Sequence, residues 1–451
     1  MNFDQIRRIH FVGIGGIGMS GLAEILAGQG LSVSGCDAKR STTTESLAGR
    51  GIPVSIGHDP AHLEGADLVV MTSAVKGDHP EVDAARAKGI RVMKRAELLG
   101  AIVNDKRTVG VSGTHGKTTT TAMISLVLEE AGLDPTMLVG GIVRNLETNA
   151  KRGASDFLVV EADEYDRTFH QLRPEIAVVT NIEPDHLDYY GSFEAIIEAF
   201  RIFVGGVKRG GIVIGCCDDE NVSRLLRHAE VKPVSYGLSE KAELRATNIE
   251  YHERGVSFEV PGVGFFKLFL PGEHNVRNAL AAIGVGRALG IPAETIAAAL
   301  AKFLGVDRRF QILGEYHGCI IVDDYAHHPT EIRATLTAAR TGYPGRRVVA
   351  LFQPHLYSRT IDFANEFAEA LRIADVPLVA PIYAARERPV EGVSARIIAN
   401  AAPGIEFIDR SNAQIVNEMR RRLKPNDIFI AMGAGDVHEV AEQLVAGEAA
   451  R

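Results

Sequence analysis

Residues 107–121 read RTVGVSGTHGKTTTT: a short apolar strand (108–112), a glycine-bearing turn, and a helix starting near Thr118. These types and spacings suit a polyphosphate. Gly113, Thr114, His115, Gly116, Lys117, Thr118 and Thr119 would aim backbone N–H groups and a helix N-terminus at one anion, with the Lys117 ammonium as a point charge and Thr118 on Mg²⁺. The usual spacing G-x-x-x-x-G-K-[ST] requires glycine at 111, where Val111 stands, so the loop is the shorter form from Gly113 to Thr118.

A second glycine loop opens the chain. In IHFVGIGGIGMSGLAEIL, a strand (9–12) runs into Gly13, Gly15 and Gly18 at G-x-G-x-x-G spacing, then into a helix with apolar Ile17, Leu22, Ile25 and Leu26. The first glycine permits the turn, the second lets backbone approach a pyrophosphate, and the third lets helix pack on strand. Asp37 ends the next strand, nineteen residues beyond Gly18, where a carboxylate can accept a ribose hydroxyl. Ser73 and Ala74 follow a third strand, ADLVVMTSAV, on the expected ligand edge. The pattern fits NAD or any other nucleotide diphosphate, because pyrophosphate and ribose are what it recognises.

Further polar residues gather at strand ends. DFLVVEADEYD delivers Glu161, Asp163 and Glu164 together, a repulsive arrangement that a cation would relieve; Mg²⁺ on Glu161 is the economical reading, with Asp163 and Glu164 open to being solvated loop acids. IAVVTNIEPDHLDYYG brings Asn181, Asp185, His186 and Asp188 out in the same way, and His186 is either a metal ligand or a hydrogen-bonded side chain. In LPGEHNVRNALAAIG, His274, Asn275 and Asn278 begin an alanine-rich helix; the two asparagines, one turn apart, can address a base or phosphate, unless Asn275 caps the helix. Near the C-terminus, CIIVDDYAHHPTEI ends a strand at Asp323 and Asp324, and RVVALFQPHLYSRT ends another before His355 and Arg359. This polar edge suits an amino-acid zwitterion, with Arg359 for the carboxylate and Asp324 orienting or deprotonating the ammonium. His327 and His328 are equally well a turn cap ahead of Pro329.

The elements that must hold these residues alternate strand and helix, as in α/β folds with parallel sheets. At 451 residues the chain is long enough for about three domains. The expected division is a Rossmann-like domain (1–106), a central ATP-binding α/β domain (107–310) and a C-terminal Rossmann-like domain (311–451), with DIFIAMGAGD closing the last sheet. Hydrophobic content of 46% with 24% charged residues supports several buried cores, and a net charge of −8 argues against general nucleic-acid binding. No apolar run approaches membrane-spanning length and the first residues lack a signal-like stretch, so a cytoplasmic location without membrane insertion is expected. Cys36, Cys216, Cys217 and Cys319 show no disulfide or zinc spacing and read as small buried hydrophobes.

Taken in order, GIGGIGMSG, GTHGKTTTT, EADE, TNIEPDHLD, GEHNVRNALAA, GVDRRFQ, VDDYAHHPTE and FQPHLYSRT resemble the Mur ligases, ATP-dependent amide ligases of peptidoglycan precursor synthesis. The resemblance spans all three segments. It implies a UDP-sugar site at Gly13, Gly15, Gly18, Asp37 and Ser73, and ATP phosphates and Mg²⁺ on Lys117 and Thr118. It further implies metal ligands at Glu161 and His186, nucleotide contacts from Asn275 and Asn278, a phosphate contact from Arg309, and a motif aspartate at Asp324. His355 and Arg359 would then serve the amino acid. Several members carry a modified lysine about fourteen residues after the metal-binding histidine; Phe200 and Arg201 stand there, which places the chain with the alanine-adding branch. Tyr165 departs from the serine common in that branch and resembles the ligase that recycles a murein tripeptide. The implied substrates are UDP-N-acetylmuramate, L-alanine and ATP, on a monomer or homodimer. An NAD-linked oxidoreductase would leave the phosphate loop unused, and a P-loop regulatory NTPase or transporter ATPase would leave the first glycine loop unused.

Overall fold

Runs such as IHFV, LVVM, FLVVE, IAVV and CIIVDD are too uniformly apolar for a sheet with one wet face, and each forms a strand buried on both sides. The computed structural model describes residues 5–72, 74–75, 78–385 and 387–449. They divide into two units, one drawn from within 1–247, 260–264 and 277–300 and the other from within 248–259, 265–276 and 301–451.

The first unit holds two sheets. The smaller is parallel, with strands in the spatial order Val54–Ile56, Ser32–Asp37, Arg8–Val12, Leu68–Met71 and Arg91–Lys94. Chain order reverses between Arg8–Val12 and Leu68–Met71, and a crevice at the carboxyl ends of such a pair is where open α/β sheets take ligands. The helices Ile17–Gly28, Thr42–Gly49 and Pro80–Ala87 serve the crossovers that parallel pairing demands. Pro80 at the first position and Glu81 and Asp83 in the first turn suit the start of the third.

The larger sheet has eight strands, and Arg107–Ser112 lies between Phe157–Glu161 and Ile176–Val179. Register pairs Val111 with Glu161 and Ser112 with Val179, so the phosphate loop, the acid cluster and the TNIEPDH segment leave the sheet side by side. Helix Lys117–Glu130 is buried continuously from Thr118 to Leu128, which fixes its N-terminus against the sheet. Helix Phe193–Gly205, capped by Ser192 on the Ala195 N–H, sends Phe200 and Phe203 into the core against Phe169. The position of the family's modified lysine is therefore core, and the adjacent Arg201 pairs with Glu198.

In the second unit a six-stranded sheet runs Gln311–Tyr316, Cys319–Asp324, Asp427–Met432, Arg347–Phe352, Val376–Val379, Glu406–Phe407; only the first pairing is antiparallel. Asp427–Met432 is thus central, where the sequence reading had it close the sheet. Every residue of DIFIAM is buried, and a strand covered on both faces belongs inside a parallel sheet. Among the described residues no helix is long and apolar enough to cross a membrane.

Candidate active site

The phosphate loop takes its shape from two glycines with positive φ, Gly113 at +140° and Gly116 at +82°. A side chain at Gly113 would collide with the Thr180 hydroxyl, which donates to the His115 carbonyl at 2.6 Å. Asn181 holds the loop from the same side. Its amide oxygen accepts the His115 N–H at 2.8 Å and its backbone carbonyl accepts the Thr114 N–H at 3.0 Å. The Thr114 and His115 amides are thus engaged within the protein, where the sequence reading aimed them at the anion. The amides free of intrahelical partners by helix geometry are those of the first turn, including Lys117, Thr118 and Thr119.

Lys117 lies folded over its own loop. Its ammonium donates to the carbonyls of Gly113 (2.6 Å) and Thr114 (3.2 Å) and to both oxygens of Glu164, each at 2.8 Å. Burial works against the charge on Lys117, but Glu164, Asp163 and Glu161 override it and hold the ammonium above its ordinary range. Glu164 is buried rather than a solvated loop acid, and the Tyr190 hydroxyl bonds its backbone carbonyl. This ion pair was not legible in the sequence, since the partners lie 47 positions apart; the density of acids beside the loop was the one signal.

Glu161 accepts the Gly140 N–H at 2.6 Å. Burial raises the Glu161 carboxyl above its usual range, and the Gly140 N–H, Lys117 and Thr118 oppose that. The Thr118 hydroxyl and the Glu161 carboxylate, at the mouth of the phosphate loop, are the hard oxygen donors that Mg²⁺ takes, so these two residues fit the ion. His186 begins the short helix Leu187–Tyr190 in a left-handed conformation, with its N–H on Asp185 and its ring 5.0 Å from that of Tyr165. Asn278 reaches the loop too: its amide oxygen accepts the Thr120 hydroxyl at 3.1 Å, and a side chain at Gly116 would come within 2.7 Å of it.

At the first glycine loop, the Cys36 carbonyl accepts the N–H groups of Gly13 (2.9 Å) and Ile14 (3.0 Å), and Asp37 accepts the Gly15 N–H at 2.9 Å. A Cβ on Gly15 would stand 2.9 Å from that carboxylate. Gly18 does not mark the close packing expected of it: the space beside it holds the Arg95 guanidinium, 3.0 Å from where its Cβ would lie. The crowded glycine of this helix is Gly21, against Leu138 and Ala150 of the larger sheet. Arg95 also reaches Thr168 and is a cation the sequence reading missed. Ser73 lies outside the described residues.

In the second unit Asp324 is buried, and both its oxygens are engaged: one accepts the Ala326 N–H (2.7 Å), the other the Phe310 N–H (2.9 Å) and the Thr335 hydroxyl (3.1 Å). The carboxylate that the sequence reading gave to an incoming ammonium thus fixes the backbone next to Arg309. Burial lifts its carboxyl to about 6, against the pull of the Arg309 charge and the two N–H groups. Both Arg308 and Arg309 lie over the Tyr325 ring; Arg308 is tied to Asp323 and the Gly433 carbonyl, and Arg309 has Glu331 at 3.7 Å. His328 caps helix Pro329–Gly342, and Glu331 accepts the N–H groups of both His327 and His328. The rings of His327 and Tyr383 flank His355, while Arg359 is buried in helix Tyr357–Asp362. Asn275 bonds the Pro271 carbonyl in this unit, and Asn278 belongs to the first.

Three family models match in succession: "Mur ligase family, catalytic domain" over residues 8–107, "Mur ligase middle domain" over 111–286 and "Mur ligase, glutamate ligase domain" over 308–435. The chain is 46% identical to a UDP-N-acetylmuramate--L-alanine ligase of Renibacterium salmoninarum, over 99% of this chain and 97% of that one. Among solved structures it is similar to the UDP-N-acetylmuramate-alanine ligase of Thermotoga maritima (TM-score 0.84, 30% identity, 98% and 99% covered). A murein peptide ligase from Psychrobacter arcticus is also similar (TM-score 0.71, 25% identity, 98% of each chain covered).

Proposed function

The chain belongs to the Mur ligase family, and from that premise we propose that it joins L-alanine to the lactyl carboxylate of UDP-N-acetylmuramate at the expense of ATP. The observation that carries the reading is one unit holding a pyrophosphate-type glycine loop at a sheet reversal and a phosphate loop with its lysine clamped in place. The full-length likeness to alanine-adding ligases points to the amine. Residues 1–106 take the UDP-sugar through Gly13, Gly15, Gly18, Asp37 and Ser73. Residues 107–310 take ATP, and residues 311–451 take L-alanine through His355 and Arg359.

A carboxylate is too poor an acyl donor to meet an amine directly. Its oxygen attacks the γ-phosphorus of ATP, ADP leaves, and the acyl phosphate formed is attacked by the neutral amine with loss of phosphate. Lys117 and the first-turn amides stabilise charge on the transferring group, and Arg309 is the further cation given to it. Thr118 and Glu161, with His186, would hold Mg²⁺, which when bound offsets phosphate charge. Free L-alanine carries its α-amino group as ammonium near neutral pH, so the amine must lose a proton before it attacks the acyl phosphate. Asp324 acts by position, holding the backbone beside Arg309. The substrates belong to the cytoplasm, the location we assign to the protein.

The chemistry is tested by labelling the lactyl carboxylate with ¹⁸O. Acyl-phosphate formation moves one labelled oxygen into the phosphate released with each amide bond; unlabelled phosphate would refute the intermediate.

A further inference from the structure

The four cysteines carry no metal-like spacing, yet Cys36 lies in a nest of metal-ligating side chains. Glu81, fully buried in the first turn of helix Pro80–Ala87, is at its centre. The Cys36 thiol donates to Glu81 Oε2 at 2.7 Å, and His58 Nδ1 stands 3.3 Å from the same sulfur and 3.8 Å from that oxygen. His10 Nε2 is 3.7 Å from Oε2, deeply buried and without a hydrogen-bond partner. The ligand atoms of His10, Cys36 and Glu81 all fall within 4.8 Å of one another. These residues come from the strands Arg8–Val12 and Ser32–Asp37, the loop after Val54–Ile56 and the helix start, which is why no sequence spacing announces them.

We propose that His10, Cys36, His58 and Glu81 form a Zn²⁺ site in the N-terminal segment, apart from the Mg²⁺ site of the phosphate loop. One thiolate, two imidazoles and one carboxylate make a tetrahedral donor set for a borderline-soft ion. Two negative donors would offset the 2+ charge inside a buried pocket. The surroundings orient the donors as a metal site requires. Ser34 Oγ bonds His10 Nδ1 at 3.0 Å, leaving Nε2 turned to the cluster. His62 Nδ1 (2.7 Å) and the Asp59 N–H (3.0 Å) hold Glu81 Oε1, leaving Oε2 for the ion. The His79 ring packs edge-on against His58 at 4.4 Å and fixes its plane. Zinc–ligand bond lengths put the ligand atoms of a tetrahedral site about 3.5 Å apart. The Cys36–Glu81 hydrogen bond therefore opens as the thiol proton leaves and zinc takes its place. His58 and His62, whose side chains are about a quarter exposed, give the ion its way in.

The test uses the full chain, stripped of metal and loaded with Zn²⁺ or Co²⁺ alone. One zinc per chain should survive gel filtration in excess Mg²⁺, and the cobalt form should show a thiolate-to-metal charge-transfer band in the near ultraviolet. Cys36→Ser should abolish that band, Cys217→Ser should leave it intact, and His10→Gln should weaken zinc binding at least about tenfold. No retained zinc, or a cobalt spectrum without the thiolate band, would overturn the proposal. So would a band that persists in Cys36→Ser. Both readouts on the unaltered protein decide the matter even where a variant fails to fold.

Discussion

Both carboxylate oxygens of Glu164 stand 2.8 Å from the Lys117 ammonium. The lysine of the phosphate loop is therefore held in place before any nucleotide arrives, by an acid from the end of the neighbouring strand. Its charge is shared between that acid and two loop carbonyls, so a polyphosphate must draw it from Glu164 to use it.

Breaking this pair leaves a charge buried. Glu164→Ala is expected to cost about 3 kcal/mol of folding stability, because Lys117 loses its compensation. Replacing both, as Lys117→Met with Glu164→Leu, should cost clearly less. Urea unfolding of the three proteins measures it, and a double variant no more stable than Glu164→Ala would contradict the coupling.

Lys117→Ala should lower ligation about a hundredfold or more, the usual loss when a group that stabilises transition-state charge is removed. UDP-N-acetylmuramate binding, followed by calorimetry, should stay within about twofold of the unaltered enzyme, since the lysine serves ATP alone. Turnover retained near the original rate would show that the reacting phosphates lie elsewhere.

Gly15→Ala should act the other way round. Its Cβ would meet Asp37 at 2.9 Å and displace the Gly15 N–H from that carboxylate. That shifts the loop and Asp37 together, so the KM for the UDP-sugar should rise roughly tenfold or more while that for ATP holds. Equal effects on both substrates would refute the assignment of this loop.

How these sites read from sequence depended on distance along the chain. Strand, turn and helix start lie within about fifteen residues, so the turns at Gly13 and Gly113 and the strand end at Asp324 were legible, while the packing role expected of Gly18 was not met. The partners that set electrostatics were not, because strand order decides them: Glu164 meets Lys117 through adjacent strands, and Arg95 fills the space beside Gly18. Asp427–Met432 was read as a closing strand because it is last in the chain, yet it is inserted between Cys319–Asp324 and Arg347–Phe352. Cys36 shows the same limit, its neighbours being spread from His10 to Glu81.

Asp324 gives a pH signature. Burial raises its folded-state carboxyl from 3.8 to about 6, so between these values the folded protein keeps a proton that the unfolded chain releases. Its contribution is greatest below about pH 4 and is lost as pH rises through about 6, on the order of 3 kcal/mol in all. Urea unfolding from pH 4 to pH 8 of the unaltered chain and of Asp324→Asn isolates it: the stability difference should shift in favour of the variant as pH rises. A difference constant over that window would contradict the burial argument.

The central claim is that the amine is L-alanine, and ADP release tests it most directly. With UDP-N-acetylmuramate, ATP and Mg²⁺ fixed, L-alanine, glycine, L-serine and L-Ala-γ-D-Glu-meso-diaminopimelate are compared at equal concentration. L-Alanine should be used best. Glycine and serine should leak through at about one-tenth to one-hundredth of its efficiency, since a small side-chain difference is worth only about 1–3 kcal/mol, and the tripeptide should be excluded. Preferred use of the tripeptide would contradict the assignment and place the chain with the murein-recycling ligases.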